Sequence, residues 1–128
     1  MKKILLGLGF MFGLFTSCSK EVKQEDIALQ TAKAYYDQLI AGDVNSFVEG
    51  TLKGDTLPED YKAQLLLNAQ MYVEKQQKEH KGINRVEPVR ATCDSLSANA
   101  FLTICFNDST REEIVVPMIR KGDLWYMR

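Results

Sequence analysis

The chain has 128 residues and a mass of 14.5 kDa, enough for one domain and too little for two. Its 16 Lys and Arg stand against 17 Asp and Glu, a net charge of −1, and such a balance offers no clustered positive face for nucleic acid, which is not an expected partner. With 45% hydrophobic and 26% charged residues, the composition excludes both a disordered tail and a bundle of membrane spans.

The chain opens on Met1-Lys2-Lys3, a short cationic start, followed by an apolar run from Ile4 to Phe15. A helix needs about 20 residues to cross a bilayer, so this run is too short to span one and has the order of an export signal instead. Next, Leu14-Phe15-Thr16-Ser17-Cys18-Ser19 sets small residues directly before a cysteine, which resembles the lipobox of bacterial lipoproteins. The resemblance implies that residues 1–17 are a signal peptide cut off before Cys18, and that Cys18 carries the acyl chains, palmitate among them, that hold the protein to a membrane. Phe15 departs from the family, which usually has Leu three places before the cysteine; the alternative is an ordinary signal peptide containing a cysteine. Residues 18–24 read as a short tether that keeps a single domain, residues 25–128, close to the bilayer. The resemblance implies a cell-envelope protein, an outer-membrane lipoprotein of a Gram-negative bacterium. It leaves open the periplasmic or the surface side, because Lys20-Glu21 matches acidic surface-export signals poorly.

From Glu25 to Ala41, the positions Ala28, Ala32, Tyr35, Tyr36, Leu39 and Ile40 recur at helical spacing. Glu25 and Asp26 suit the positive end of the helix dipole, and Gly42 can take the left-handed stop. Asp43 then caps a short helix to about Val48, with Val44, Phe47 and Val48 turned inward. Gly50 to Thr56 is expected to be a loop, with an extended piece at Thr51-Leu52-Lys53. Thr56-Leu57-Pro58-Glu59 fits a capping box with proline in the first turn, opening a third helix whose stripe is Tyr61, Leu65, Ala69, Tyr72 and Val73 and which Gly82 ends.

The remainder alternates with period two: Asn84 to Asp94, Ala98 to Asn107, Arg111 to Arg120 and Leu124 to Arg128 read as four antiparallel strands joined by short turns. No strand alternates with a helix, which excludes a doubly wound parallel sheet. The expected fold class is α+β, three N-terminal helices packed on one face of a curved four-stranded antiparallel meander. A first turn centred on Leu96-Ser97 sets Cys93 opposite Ala100 and Cys105 opposite Pro88, on the other face. At roughly 3.3 Å per residue the two cysteines are then beyond the ~7 Å reach of a disulfide, and they are expected to be free thiols.

A second turn at Asp108-Ser109 sets Leu102 opposite Val115 and Phe101 opposite Val116. That register gathers Phe101, Val116, Met118 and Trp125 on the solvent face, where a half-wet sheet should be polar. It makes them a candidate interface for a second copy, as a homodimer, or for an envelope protein. A bulge at Pro117 would reverse the parity and send Trp125 into the core instead.

Ala41-Gly42-Asp43 after the first helix, the long third helix, and Arg120-Lys121-Gly122-Asp123-Leu124-Trp125-Tyr126 at the end resemble the small exported lipoproteins of the nuclear-transport-factor-2-like superfamily. The resemblance implies a cone in which a curved sheet wraps around helices, often enclosing an apolar pocket, with dimers common. It implies no single activity, since the fold hosts isomerases, dehydratases and binding modules. Tyr35, Tyr36, Phe47, Phe106 and Tyr126 are the candidates to line such a pocket; plain core filling is the alternative for each.

The residue inventory argues against catalysis. His80 is the only histidine, and Lys78-Glu79-His80-Lys81 places it at a charged helix end, where solvation is the expected role. Asp37 falls on the polar side of the first helix, and Asp43 is accounted for as a cap. One histidine and two cysteines on opposite faces make no metal-ligand set, and no phosphate loop or nucleophile elbow is present, so neither metal nor cofactor is expected. Lys75, Lys78 and Lys81 read as a solvated helix end, with lipid head groups as the sharper alternative. The expectation is a membrane-anchored, non-catalytic binding or interaction module; a binder of a small apolar ligand, or an enzyme using the cone pocket, are the alternatives.

Overall fold

The computed structural model describes residues 23–51 and 58–128. The leader, Cys18 and the tether as far as Val22 lie outside the described residues, as do Leu52, Lys53 and the Thr56 cap. Helices α1 (Gln24–Ile40), α2 (Val44–Glu49) and α3 (Glu59–His80) precede strands β1 (Ile83–Cys93), β2 (Ser97–Phe106), β3 (Arg111–Lys121) and β4 (Leu124–Met127). The strands form one antiparallel sheet in the order β1-β2-β3-β4. Hydrophobic periodicity therefore predicts the α+β class and the element order correctly.

Each helix starts and stops for a local reason. Glu25 and Asp26 occupy the first turn of α1, which begins at Gln24, one residue inside the expected tether. Gly42, at φ 95°, turns the chain out of it. Asp43 accepts the Ser46 N–H at 3.2 Å and caps α2, and the hydrogen bonds from Ser46 hold its carboxyl below the usual range. Lys81 and Gly82 both adopt positive φ at the end of α3, where the Gly82 N–H donates to Gln76 O at 3.1 Å.

The core has two parts. Ala28, Leu29 and Ala32 of α1 share one cluster with Val86, Ala98, Ala100, Leu102, Ile104, Phe106, Val116, Met118, Trp125 and Met127 from all four strands. The small side chains Ala28, Ala32 and Ala100 are fully buried, which lets α1 sit low on the sheet. The second part, Leu39, Val48 and Ala69, joins the three helices to one another. Gly50 is needed where α2 ends: a Cβ there would collide with the Tyr35 ring, while its carbonyl accepts the Met127 N–H at 2.8 Å.

Both hairpin registers differ from expectation. In the first, the Asp94 N–H donates to Ser97 O at 2.7 Å across a two-residue turn, Ser95-Leu96, so Cys93 faces Ala98 and not Ala100. A bulge at Val89, beside Pro88, then shifts the pairing; proline has no N–H to give the ladder, and bulges form where that bond is missing. Cys105 consequently faces Arg85, still further from Cys93 than expected, and both are free thiols.

The second difference is a correction with larger consequences. The Phe106 N–H donates to Thr110 O at 2.9 Å around a loop in which Ser109 takes φ 75°. This odd-numbered loop moves the pairing by one residue: Leu102 faces Ile114 and Ala100 faces Val116. A slip of one residue exchanges the faces of a strand. Val116, Met118 and Trp125, expected on the outer face, are therefore buried against α1, at 4%, 0% and 2% exposure. No bulge at Pro117 is involved, because the β2–β3 ladder is unbroken there. Of the expected interface only Phe101 lies outside this core, half-buried with the Arg90 guanidinium 3.9 Å above its ring.

Candidate functional site

Helix α3 packs on α2, α1 and β1 and makes no comparable packing on β3. The wedge left between α3 and the first half of β3 is a cavity of about 460 Å³. Tyr36 and Leu39 of α1, Phe47 and Val48 of α2, Leu65, Ala69 and Tyr72 of α3, and Ile114 of β3 make its body. Thr51, Asn68, Glu112 and Val115 complete the described lining. Its size falls within the roughly 300–1,000 Å³ of small-molecule sites, and its chemistry, apolar with a few polar groups, matches them too.

The aromatic side chains hold defined positions. The Tyr36 and Phe47 rings meet edge to face with centroids 5.1 Å apart and planes at 84°. Burial raises the Tyr36 phenol above its usual pKa. The Tyr72 phenol is pushed up to about 12, first by burial and then by Tyr36 and the Glu112 carboxylate. Tyr36, Tyr72 and Glu112 thus come together at one side of the cavity, and both phenols stay neutral at physiological pH.

Only part of the expected lining is here. Tyr36 and Phe47 line the cavity; Tyr35, Phe106 and Tyr126 do not. Tyr35 covers Gly50 and donates its hydroxyl to Trp125 O at 3.3 Å. Tyr126 lies one residue out of phase with the buried Trp125 and Met127, so the slip that buried Trp125 also moved Tyr126 away from the core row. Phe106 lies beneath His80 in a separate groove. Asn68 and Glu112 escaped the sequence reading. For Glu112 the signal was its phase with Ile114, Val116 and Met118, visible only once the register is right.

The adjoining groove shares Tyr72 and Glu112 with the cavity and adds Lys75, Glu79, His80, Phe106, Thr110 and Arg111. His80 is not the solvated side chain that was expected. Its ring stacks on Phe106 with centroids 4.2 Å apart, and Nδ1 lies 2.9 Å from Asp108 Oδ2. A carboxylate only accepts, so Nδ1 carries the proton and donates. The contact ties the end of α3 to the β2–β3 turn. Asp37 lies on the polar face of α1, paired with Lys33 at 2.7 Å, and takes no part in either cavity. Among the described residues no group of three or more His, Cys, Asp or Glu could hold a metal ion, and no helix is long and apolar enough to cross a membrane.

Neither protein-family models nor curated proteins give a match to the sequence. Among solved structures, a chain from Campylobacter jejuni provisionally named as an NTF2-like transpeptidase superposes with a TM-score of 0.63 at 17% identity, covering 77% of this chain and 94% of that one. At that identity the likeness carries the fold alone. With the three helices, the curved meander and the wedge between α3 and β3 in place, the chain has the NTF2-like fold.

Proposed function

We propose that this chain is a lipid-anchored module of the Gram-negative cell envelope that binds a small molecule with an apolar body, without catalysing its conversion. The observation that carries the reading is the open cavity of about 460 Å³ lined by Tyr36, Leu39, Phe47, Val48, Leu65 and Ile114. An apolar concavity of this size with a few polar groups on its wall is the ordinary form of a small-molecule site. Its described lining includes no serine, cysteine or histidine, so no hydroxyl–imidazole or thiol–imidazole pair stands where a ligand would sit. The outer-membrane location rests on the leader and Cys18, whose acyl chains would hold the domain at a lipid surface from which apolar molecules partition.

The test is extraction. The full chain, purified from the envelope and denatured, should release a defined apolar compound identifiable by mass spectrometry. Ala69→Trp, which fills the cavity from α3, should release none. A wild-type protein that carries nothing, or equal yields from both proteins, would contradict the reading.

A further inference from the structure

The inward row of β3 runs Met118, Val116, Ile114 and then Glu112, opposite Ala98, Ala100, Leu102 and Ile104 of β2. Three apolar side chains are followed, in the same phase, by a carboxylate. A charge on the core side of a sheet is costly unless it meets water or a partner. Glu112 ends the row at the rim of the cavity, and it is the one charged residue in the described lining.

No direct ion pair engages it among the described residues. Lys75 and Arg111 share the adjoining groove, with Glu79 and His80 beside them. Yet among the described residues no basic group comes within 4 Å of the Glu112 oxygens. Arg111 instead approaches Glu87, at 3.8 Å, and His80 is engaged by Asp108. Three aromatic residues, Tyr36, Phe47 and Tyr72, line the same cavity as Glu112, with Tyr72 close enough to feel its charge. The face of an aromatic ring is electron-rich and attracts a cation. The phenols of Tyr36 and Tyr72 stay protonated, so they contribute ring faces and hydroxyls rather than further charge.

We infer that the cavity selects an amphiphilic cation: an alkylammonium or similar head group against Glu112 and the rings of Tyr36, Phe47 and Tyr72, its apolar tail against Leu39, Val48, Leu65 and Ile114. This assignment rests on the proposed binding role and narrows it to one ligand charge. A carboxylate or phosphate head would meet Glu112 with like charge and gain nothing from the rings. A neutral alcohol would keep the tail contacts alone.

The experiment compares heads on one tail. Octyltrimethylammonium, octanol and octanoate are titrated calorimetrically into the full chain held in nanodiscs, with empty nanodiscs as baseline. The ammonium should bind about fivefold to tenfold more tightly than octanol, and octanoate more weakly than octanol. Glu112→Gln should cut the ammonium's advantage over octanol to the roughly twofold that the rings alone supply, and Glu112→Lys should reverse the order so that octanoate binds best. Glu112 is exposed, so both variants should fold, and a cooperative thermal unfolding transition like that of the wild type verifies that they do. Octanol bound normally with no preference among heads, or a preference that Glu112→Gln leaves undiminished, overturns the charge selectivity while leaving the cavity a binding site. If none of the three binds the wild type above the empty-nanodisc baseline, the binding role fails and this inference fails with it.

Discussion

Trp125 donates its indole N–H to Gln24 Oε1 at 2.9 Å, joining β4 to the first turn of α1. The Tyr35 hydroxyl, three turns further along the same helix face, reaches the Trp125 carbonyl. The described chain thus begins and ends in one cluster, with Trp125 2% exposed at its centre. Trp125→Ala should cost about 3–5 kcal/mol, the usual loss for a buried aromatic. Gln24→Ala removes the acceptor of a buried donor and should cost about 1–3 kcal/mol. Urea unfolding of the full chain measures both, and a Gln24→Ala loss below about 0.5 kcal/mol would show that the indole N–H does not depend on Gln24.

Neighbouring valines of β3 test the register directly. Val115 is 51% exposed and Val116 is 4% exposed, so lysine at the first position should be tolerated and lysine at the second should not. Val115→Lys is expected within about 0.5 kcal/mol of wild type. Val116→Lys forces a charge into the cluster around Leu102 and Met118 and should unfold the domain. Equal tolerance in thermal denaturation would mean that the strand is one residue out of place.

That one residue also marks how far the sequence could be read. The helical spacing of Ala28, Ala32, Tyr36 and Leu39 and the period-two strands are averages over many side chains, and averages survive local errors. Register instead depends on a single loop. The β2–β3 loop turns through Ser109 in the left-handed region, a conformation that glycine or asparagine usually announces and serine does not. A turn of even length was therefore the natural reading of Asn107-Asp108-Ser109-Thr110, and every face of β3 and β4 followed it. For the same reason Tyr36 and Phe47, fixed by helix periodicity, were found in the cavity, while Tyr126, placed by the β3–β4 faces, was not. His80 is hidden for a different reason: nothing in Lys78-Glu79-His80-Lys81 reveals that Asp108 lies 2.9 Å away in the fold.

The two described cysteines should differ in reactivity although neither is bridged. Cys93 is half-buried, and burial, with Glu25 and Asp94 near it, raises its thiol pKa above the usual value. Cys105 is 4% exposed on β2. In the native protein, alkylation should reach Cys93 slowly at neutral pH, faster as pH rises, and Cys105 only on unfolding. Intact mass after alkylation without reductant reads this out; a pair that stays protected in denaturant would mean a disulfide.

The proposed anchor makes its own prediction. Fatty-acid analogues fed to cells should label the wild-type chain through Cys18 and leave Cys18→Ala unlabelled, with the variant retaining its uncut leader and higher mass. Equal labelling of the two would remove the anchor, and with it the reason to place the domain at a membrane.

The contact between α3 and the β2–β3 turn gives stability a defined dependence on acid. Asp108 is held to about 2, chiefly by the hydrogen bond from Thr110 and further by His80. An unfolded aspartate titrates near 3.9, so the folded state prefers the ionised carboxylate more strongly than the unfolded one. The contribution is therefore complete above about pH 4, declines as pH falls toward about 2, and is absent below that. Asp108→Asn should be less stable than wild type at pH 5, and the margin should shrink as pH falls from 4 to 2. Asp43 and Glu87, whose carboxyls are also held low, are present in both proteins and cancel in the difference. His80→Ala should lower stability at every pH through the lost stack on Phe106, about 1 kcal/mol, and should flatten the acid limb in part, because the Thr110 hydrogen bond to Asp108 remains. Denaturant unfolding at half-unit pH steps distinguishes the cases: a margin that widens in acid would mean that the carboxylate is destabilised in the fold, the reverse of what its partners predict.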